Sequence, residues 1–77
     1  MKITFSRGVI YVLAHEVVIR IADDSQLTLK ADNESISLFG PARVIAARGN
    51  GVDWSLKLDT DEQIMQIATE GGIEVKY

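Results

Sequence analysis

Hydrophobic and polar residues alternate along most of this chain, and the alternation changes period once. Val52, Trp54, Leu56 and Leu58 alternate with Asp53, Ser55, Lys57 and Asp59, the period of a half-buried strand. At Thr60 the spacing turns helical, and Ile64, Ile67, Ala68 and Gly71 fall on one face. Thr60 is an N-cap candidate, and Gln63, three positions on, completes a capping box. Asp61 and Glu62 occupy the first turn, where carboxylates favour the positive end of the helix dipole. Gly71-Gly72 supplies the stop. The spacing predicts one helix over 60–71.

Everything upstream reads as strands. Ile3 and Phe5 alternate with Lys2, Thr4 and Ser6, and Ser6-Arg7-Gly8 ends that run. Val9 to Ala14 is apolar on both faces and rich in β-branched and aromatic residues, which predicts a strand covered on both sides, its second face either by the helix or by another subunit. Ala14-His15-Glu16 reads as a turn. Val17, Ile19 and Ile21 then share a face opposite Val18, Arg20 and Ala22. Asp23-Asp24-Ser25 is a turn by its chemistry, and Leu27 and Leu29 alternate with Gln26, Thr28 and Lys30. Asp32-Asn33-Glu34 is the next turn. Ile36 and Leu38 then alternate with Ser35 and Ser37, up to the Phe39-Gly40-Pro41 break. Arg43 to Arg48 pairs with Val52 to Leu58 as a hairpin, because the Asn50-Gly51 step tolerates the positive φ of a tight turn. Ile73, Val75 and Tyr77 predict a last strand or an extended tail.

The chain is thus expected to be one domain over 1–77, mainly β with one C-terminal helix. Its strands form an antiparallel meander closed as a small sandwich or barrel, with the helix as a lid. A chain of 77 residues buries only about 60% of its unfolded surface, so the core is small. A hydrophobic content of 47% is ample to form one.

Composition narrows the function classes. The chain has no cysteine, which excludes disulfides, thiolate catalysis and cysteine-ligated zinc, and favours the cytoplasm. The longest apolar run, Val9 to Ala14, is too short to span a membrane, and no signal peptide is expected. Eleven acids against 8 bases give a net charge of −3, so nucleic acid and anionic membranes are disfavoured partners.

Candidate chemistry is sparse. Asp59, Asp61 and Glu62 could ligate a divalent cation, but helix capping accounts for them more simply, and no metal or other cofactor is expected. His15 with Glu16 could form a base and its orienting carboxylate. Consecutive strand residues point to opposite faces, however, so a turn histidine is the simpler reading. Trp54 shares a face with Val52, Leu56 and Leu58 and reads as a core anchor, with an interface or stacking role as the alternative. No phosphate-cradling glycine loop and no nucleophile elbow is present.

The opening Met1-Lys2-Ile3-Thr4-Phe5-Ser6-Arg7-Gly8, the His15-Glu16-Val17 step and the strand Trp54-Ser55-Leu56-Lys57-Leu58-Asp59 resemble a family of short bacterial proteins of unknown function. The resemblance covers nearly the whole chain and implies no activity. In topology, strands closed by a C-terminal helix resemble a truncated pleckstrin-homology-like domain. This chain lacks a basic loop between its first strands, so phosphoinositide binding gains no support.

The leading functional expectation is a non-enzymatic bacterial module that binds a protein partner, itself included, as a homodimer. The candidate interface comprises Val9, Tyr11, Leu13, Arg20 and Phe39, together with an exposed sheet edge able to add a strand. The alternative is a small-molecule-binding domain with a pocket between helix and sheet. An enzyme is the third reading; one histidine and no motif leave little from which to assemble a site.

Overall fold

Each alternating run becomes a strand in the computed structural model, which describes residues 1–22, 27–49 and 51–76. The Asp23-Asp24-Ser25 turn with Gln26, Asn50 of the hairpin turn, and Tyr77 lie outside the described residues. Strands β1 (Lys2–Phe5), β2 (Gly8–Val12), β3 (Glu16–Ile21) and β4 (Thr28–Asp32) form one sheet in chain order. A single 3-10 turn over Asn33–Ser35 leads into β5 (Ile36–Phe39), β6 (Val44–Gly49) and β7 (Val52–Lys57) of a second sheet. Helix α1 (Asp61–Gly71) follows, and β8 (Val75–Lys76) returns to the second sheet, whose order is β7-β6-β5-β8. The result is a two-sheet sandwich with open edges, not a closed barrel. The meander is antiparallel throughout except for β8, which runs parallel to β5. The terminal strand is two residues long, and its parallel pairing joins segments on either side of the helix.

The inward faces are those the alternation marked. Ile3, Phe5, Ile10, Val12, Val17, Ile19 and Ile21 line the core from the first sheet. Ile36, Leu38, Ile45, Ala47 and Leu56 meet them from the second. Trp54 lies on the same face of β7 as Leu56 and packs against the core, but β7 is an edge strand and the ring stays partly exposed.

The helix closes one end of the sandwich. Its Ile64 and Ile67 are buried, and it packs against β2, β5 and β8, so it touches both sheets. The capping box forms as expected: Gln63 N–H donates to Thr60 Oγ1 at 3.3 Å, and Thr60 N–H to Gln63 Oε1 at 3.2 Å. The same Oε1 accepts from Asp59 N–H at 2.9 Å. Gly72 ends the helix in the left-handed conformation (φ 64°), its N–H donating to the Ala68 carbonyl.

The helix does not supply a second cover for Val9–Ala14. The strand stops at Val12, and only Ile10 and Val12 face the core and the helix. Val9 and Tyr11 point outward and are half-buried by their neighbours, while Leu13 and Ala14 are exposed in the following turn. The helix covers the inner face alone.

Candidate functional site

Strand register assembles the outer face of the first sheet. Val9 pairs with Arg20 and Thr4, and Tyr11 with Val18 and Lys2. Val9, Tyr11 and Val18 therefore line up as an apolar stripe across β2 and β3, with Leu13, 44% exposed, beyond its end. Lys2, Arg20 and Lys30 stand on the same face, and Glu16 holds Lys30 at 3.5 Å. Four of the five interface residues read from the sequence, Val9, Tyr11, Leu13 and Arg20, meet here. Phe39 does not. It lies on the outer face of the second sheet, with Lys76 Nζ 5.8 Å from its ring centre. Val18 was not among the candidates; the turn at Ala14-His15 fixes the register that brings it beside Tyr11.

A second feature sits at the C-terminal end of α1. A cleft of about 570 Å³ opens between the β2–β3 turn, the 3-10 turn and the segment after the helix. His15, Asp32, Asn33, Glu34 and Glu74 supply its polar groups, and Ile36 and Ile73 part of its apolar wall. Asn33 holds the three walls together. Its Nδ2 donates to the carbonyls of Leu13 (3.4 Å), Ala14 (3.3 Å) and Gly71 (3.4 Å), and its backbone N–H to the His15 carbonyl at 3.0 Å. The two N–H bonds of the amide are shared among these three carbonyls, and its Oδ1 is shielded from solvent with no hydrogen-bond partner. Nothing local in Asp32-Asn33-Glu34 marks this, since the contacts reach across 19, 20 and 38 positions.

The other candidates are placed as follows. His15 lines the cleft, while its neighbour Glu16 turns to the sheet's outer face and pairs with Lys30. The carboxylates at the helix start point to different partners. Asp59 accepts from Ser6 Oγ at 2.6 Å and Ser6 N–H at 2.7 Å; Asp61 takes Arg43 Nε at 3.1 Å. Hydrogen bonds from the Ser6 hydroxyl, then from the Ser6 amide, hold the Asp59 carboxyl below its ordinary range, against a smaller desolvation effect. Among the described residues no three His, Asp or Glu groups converge as metal ligands. No helix among them is long and apolar enough to cross a membrane.

No curated protein and no solved structure matches the chain. A family model does match, over residues 1–75, and it bears out the resemblance to short uncharacterised proteins: the chain belongs to the family described as protein of unknown function (DUF3389).

Proposed function

We propose that the chain is a bacterial, cytoplasmic, non-enzymatic module that binds protein through the outer face of its first sheet, with a second copy of itself as the first partner. The observation that carries this reading is the Val9, Tyr11 and Val18 stripe, an apolar strip flanked by Lys2 and Arg20 in a chain whose net charge is −3. The rim carries both signs, with Glu16 beside Lys30 and Asp32 opposite Glu16, so two copies of the same face can meet with unlike charges paired.

Size sets the strength. Four strands about 4.8 Å apart and five residues long span roughly 300 Å² of sheet plane. A standard interface takes about 800 Å² from each partner, so this face alone supports a weak, concentration-dependent association. Light scattering over a rising concentration series tests it. The mass is expected to climb from that of the 8.5 kDa monomer toward twice that value. Tyr11→Lys, whose side chain points away from the core, is expected to stay monomeric with an unchanged circular dichroism spectrum. A wild-type protein that is strictly monomeric at the highest concentration sinks the reading.

A second reading, small-molecule binding, is favoured by one specific observation: the cleft beside α1, whose volume lies within the usual range for ligand sites. A rise in melting temperature with one compound from a metabolite panel would support it.

A further inference from the structure

We infer that the free edge of β7 adds the β7 of a second copy, antiparallel and centred on Ser55, so that the second sheets of two chains join into one. This contact lies on the opposite sheet from the Val9, Tyr11 and Val18 face and does not depend on it.

Among the described residues β7 has one strand neighbour, β6. Leu58 N–H donates to the Arg43 carbonyl at 2.7 Å, which makes these two a hydrogen-bonded pair. Such pairs recur at every second residue of an antiparallel ladder. The register then makes Ile45–Leu56 and Ala47–Trp54 hydrogen-bonded pairs as well. The N–H and C=O groups of Asp53, Ser55 and Lys57 are left pointing away from β6, along the edge of the sheet. An edge of this kind is a template for another strand.

The side chains select the occupant. About a two-fold axis at Ser55, Asp53 stands opposite the partner's Lys57, and Lys57 opposite the partner's Asp53. Unlike charges directly opposite stabilise a strand pair, and all three residues are exposed. Asp53 also lies 3.7 Å from Arg48, an exposed ion pair of small strength. An axis at Asp53 or Lys57 sets like charges face to face. One at Trp54 or Leu56 leaves Lys57 opposite an uncharged residue, Gly51 or Ser55. On the inward face, the Ser55 axis places Trp54 beside the partner's Leu56. These are non-hydrogen-bonded positions, where side chains approach most closely. Trp54, partly exposed at the end of the core, thereby gains an apolar neighbour.

The other edges match less well. On β1 the Thr4 carbonyl accepts from Gln63 Nε2 at 3.4 Å, and the following Ser6 N–H is taken by Asp59 at 2.7 Å. On β4 the bond from Ile21 N–H to the Leu27 carbonyl leaves Thr28, Lys30 and Asp32 facing outward, and a central axis there sets Lys30 against itself. Strand β8 has two residues.

A six-residue edge is far smaller than a standard interface, so the contact is too weak to register as mass in the Tyr11→Lys variant and is read by amide NMR. Isotope-labelled Lys57→Asp chain is titrated with unlabelled Asp53→Lys chain, both also carrying Tyr11→Lys. Each charged pair across the axis is then of unlike sign. Shifts are expected to grow with the added chain, confined to 52–58 and largest at 53, 55 and 57, whose N–H groups gain acceptors. Unlabelled Lys57→Asp chain, added instead, sets like charges opposite and is expected to bind at least about fourfold more weakly. Ser55→Pro in the added chain removes the donor at the axis. Its ring points away from β6, so the circular dichroism spectrum is expected to hold while the shifts vanish. Equal shifts from the like-charged chain, shifts centred elsewhere, shifts that survive Ser55→Pro, or no shifts at all would each overturn the inference. None of these outcomes bears on the first-sheet face, which Tyr11→Lys has already removed from both chains.

Discussion

Replacing Gly8 with alanine is expected to be among the most damaging single-methyl changes this fold can receive. Gly8 opens β2 with φ at 156°, and it pairs with Ile21 of β3. A Cβ built there overlaps the Arg20 carbonyl oxygen and lies 3.0 Å from Arg20 C and 3.1 Å from Ala22 N. These are backbone atoms, which no rotamer change can move aside. The end of the β2–β3 ladder must open. That forfeits the bond from Ala22 N–H to the Arg7 carbonyl, now 2.8 Å, and the adjoining ladder bond, at about 1 kcal/mol each. Partial exposure of Ile21 and the unfavourable φ add about 1 kcal/mol apiece. The total is about 3–4 kcal/mol, against roughly 4–12 kcal/mol expected for the whole of a chain this long. The melting temperature, read by circular dichroism, is expected to fall by about 12–30 °C. Gly72→Ala is the control. Gly72 also has positive φ, but nothing lies within 4 Å of its Cβ position, so only the conformational cost of about 1 kcal/mol applies. If Gly8→Ala melts no lower than Gly72→Ala, the strand end yields freely and the steric argument is wrong.

Two further perturbations probe the helix and its attachment. Because the folded state holds Asp59 below its ordinary carboxyl range, this group favours folding at neutral pH, and its contribution fades as pH falls below about 4 through the folded value. Urea melts at descending pH are expected to show Asp59→Asn losing less stability over that window than the wild type; parallel losses would dismiss the Ser6 contacts as an energetic feature. Ile67→Ala empties a fully buried position on the core face of α1 and is expected to cost about 2–5 kcal/mol in denaturant unfolding, with the exposed Gln66→Ala near zero as reference.

The parts of this fold legible in the sequence are those governed by neighbours in the chain. Period-two alternation placed Val17, Ile19 and Ile21, and likewise Ile36 and Leu38, on the inward side. The Thr60 and Gln63 pair fixed where the helix starts to the residue, because both halves of a capping box are local. What escaped was set by distant partners. An apolar run such as Val9–Ala14 has the same composition whether one face or both are covered, and only the position of the helix decides which. Phe39 and Tyr11 both look like exposed aromatics, yet the crossing at Asn33–Ser35 sends them to different sheets. The β5–β8 pairing is parallel and joins residues on either side of the helix, so no turn signal announces it. Asn33 reads as a turn residue and is one, but its side chain also ties three walls of a cleft together.

The order of strands has a consequence for how the chain reaches this state. Strands β1 to β4 all belong to the first sheet, and β5 to β7 follow one another in the second. Every pairing but one closes a short loop between consecutive strands, so little chain entropy is lost before a contact rewards it. The molecule is in effect two ribbons that can each zip from their own turns, joined at Asn33–Ser35. The β5–β8 contact is the exception, since it must enclose β6, β7 and the helix before it forms. Folding speed should accordingly be set less by building either sheet than by bringing the two together beneath α1.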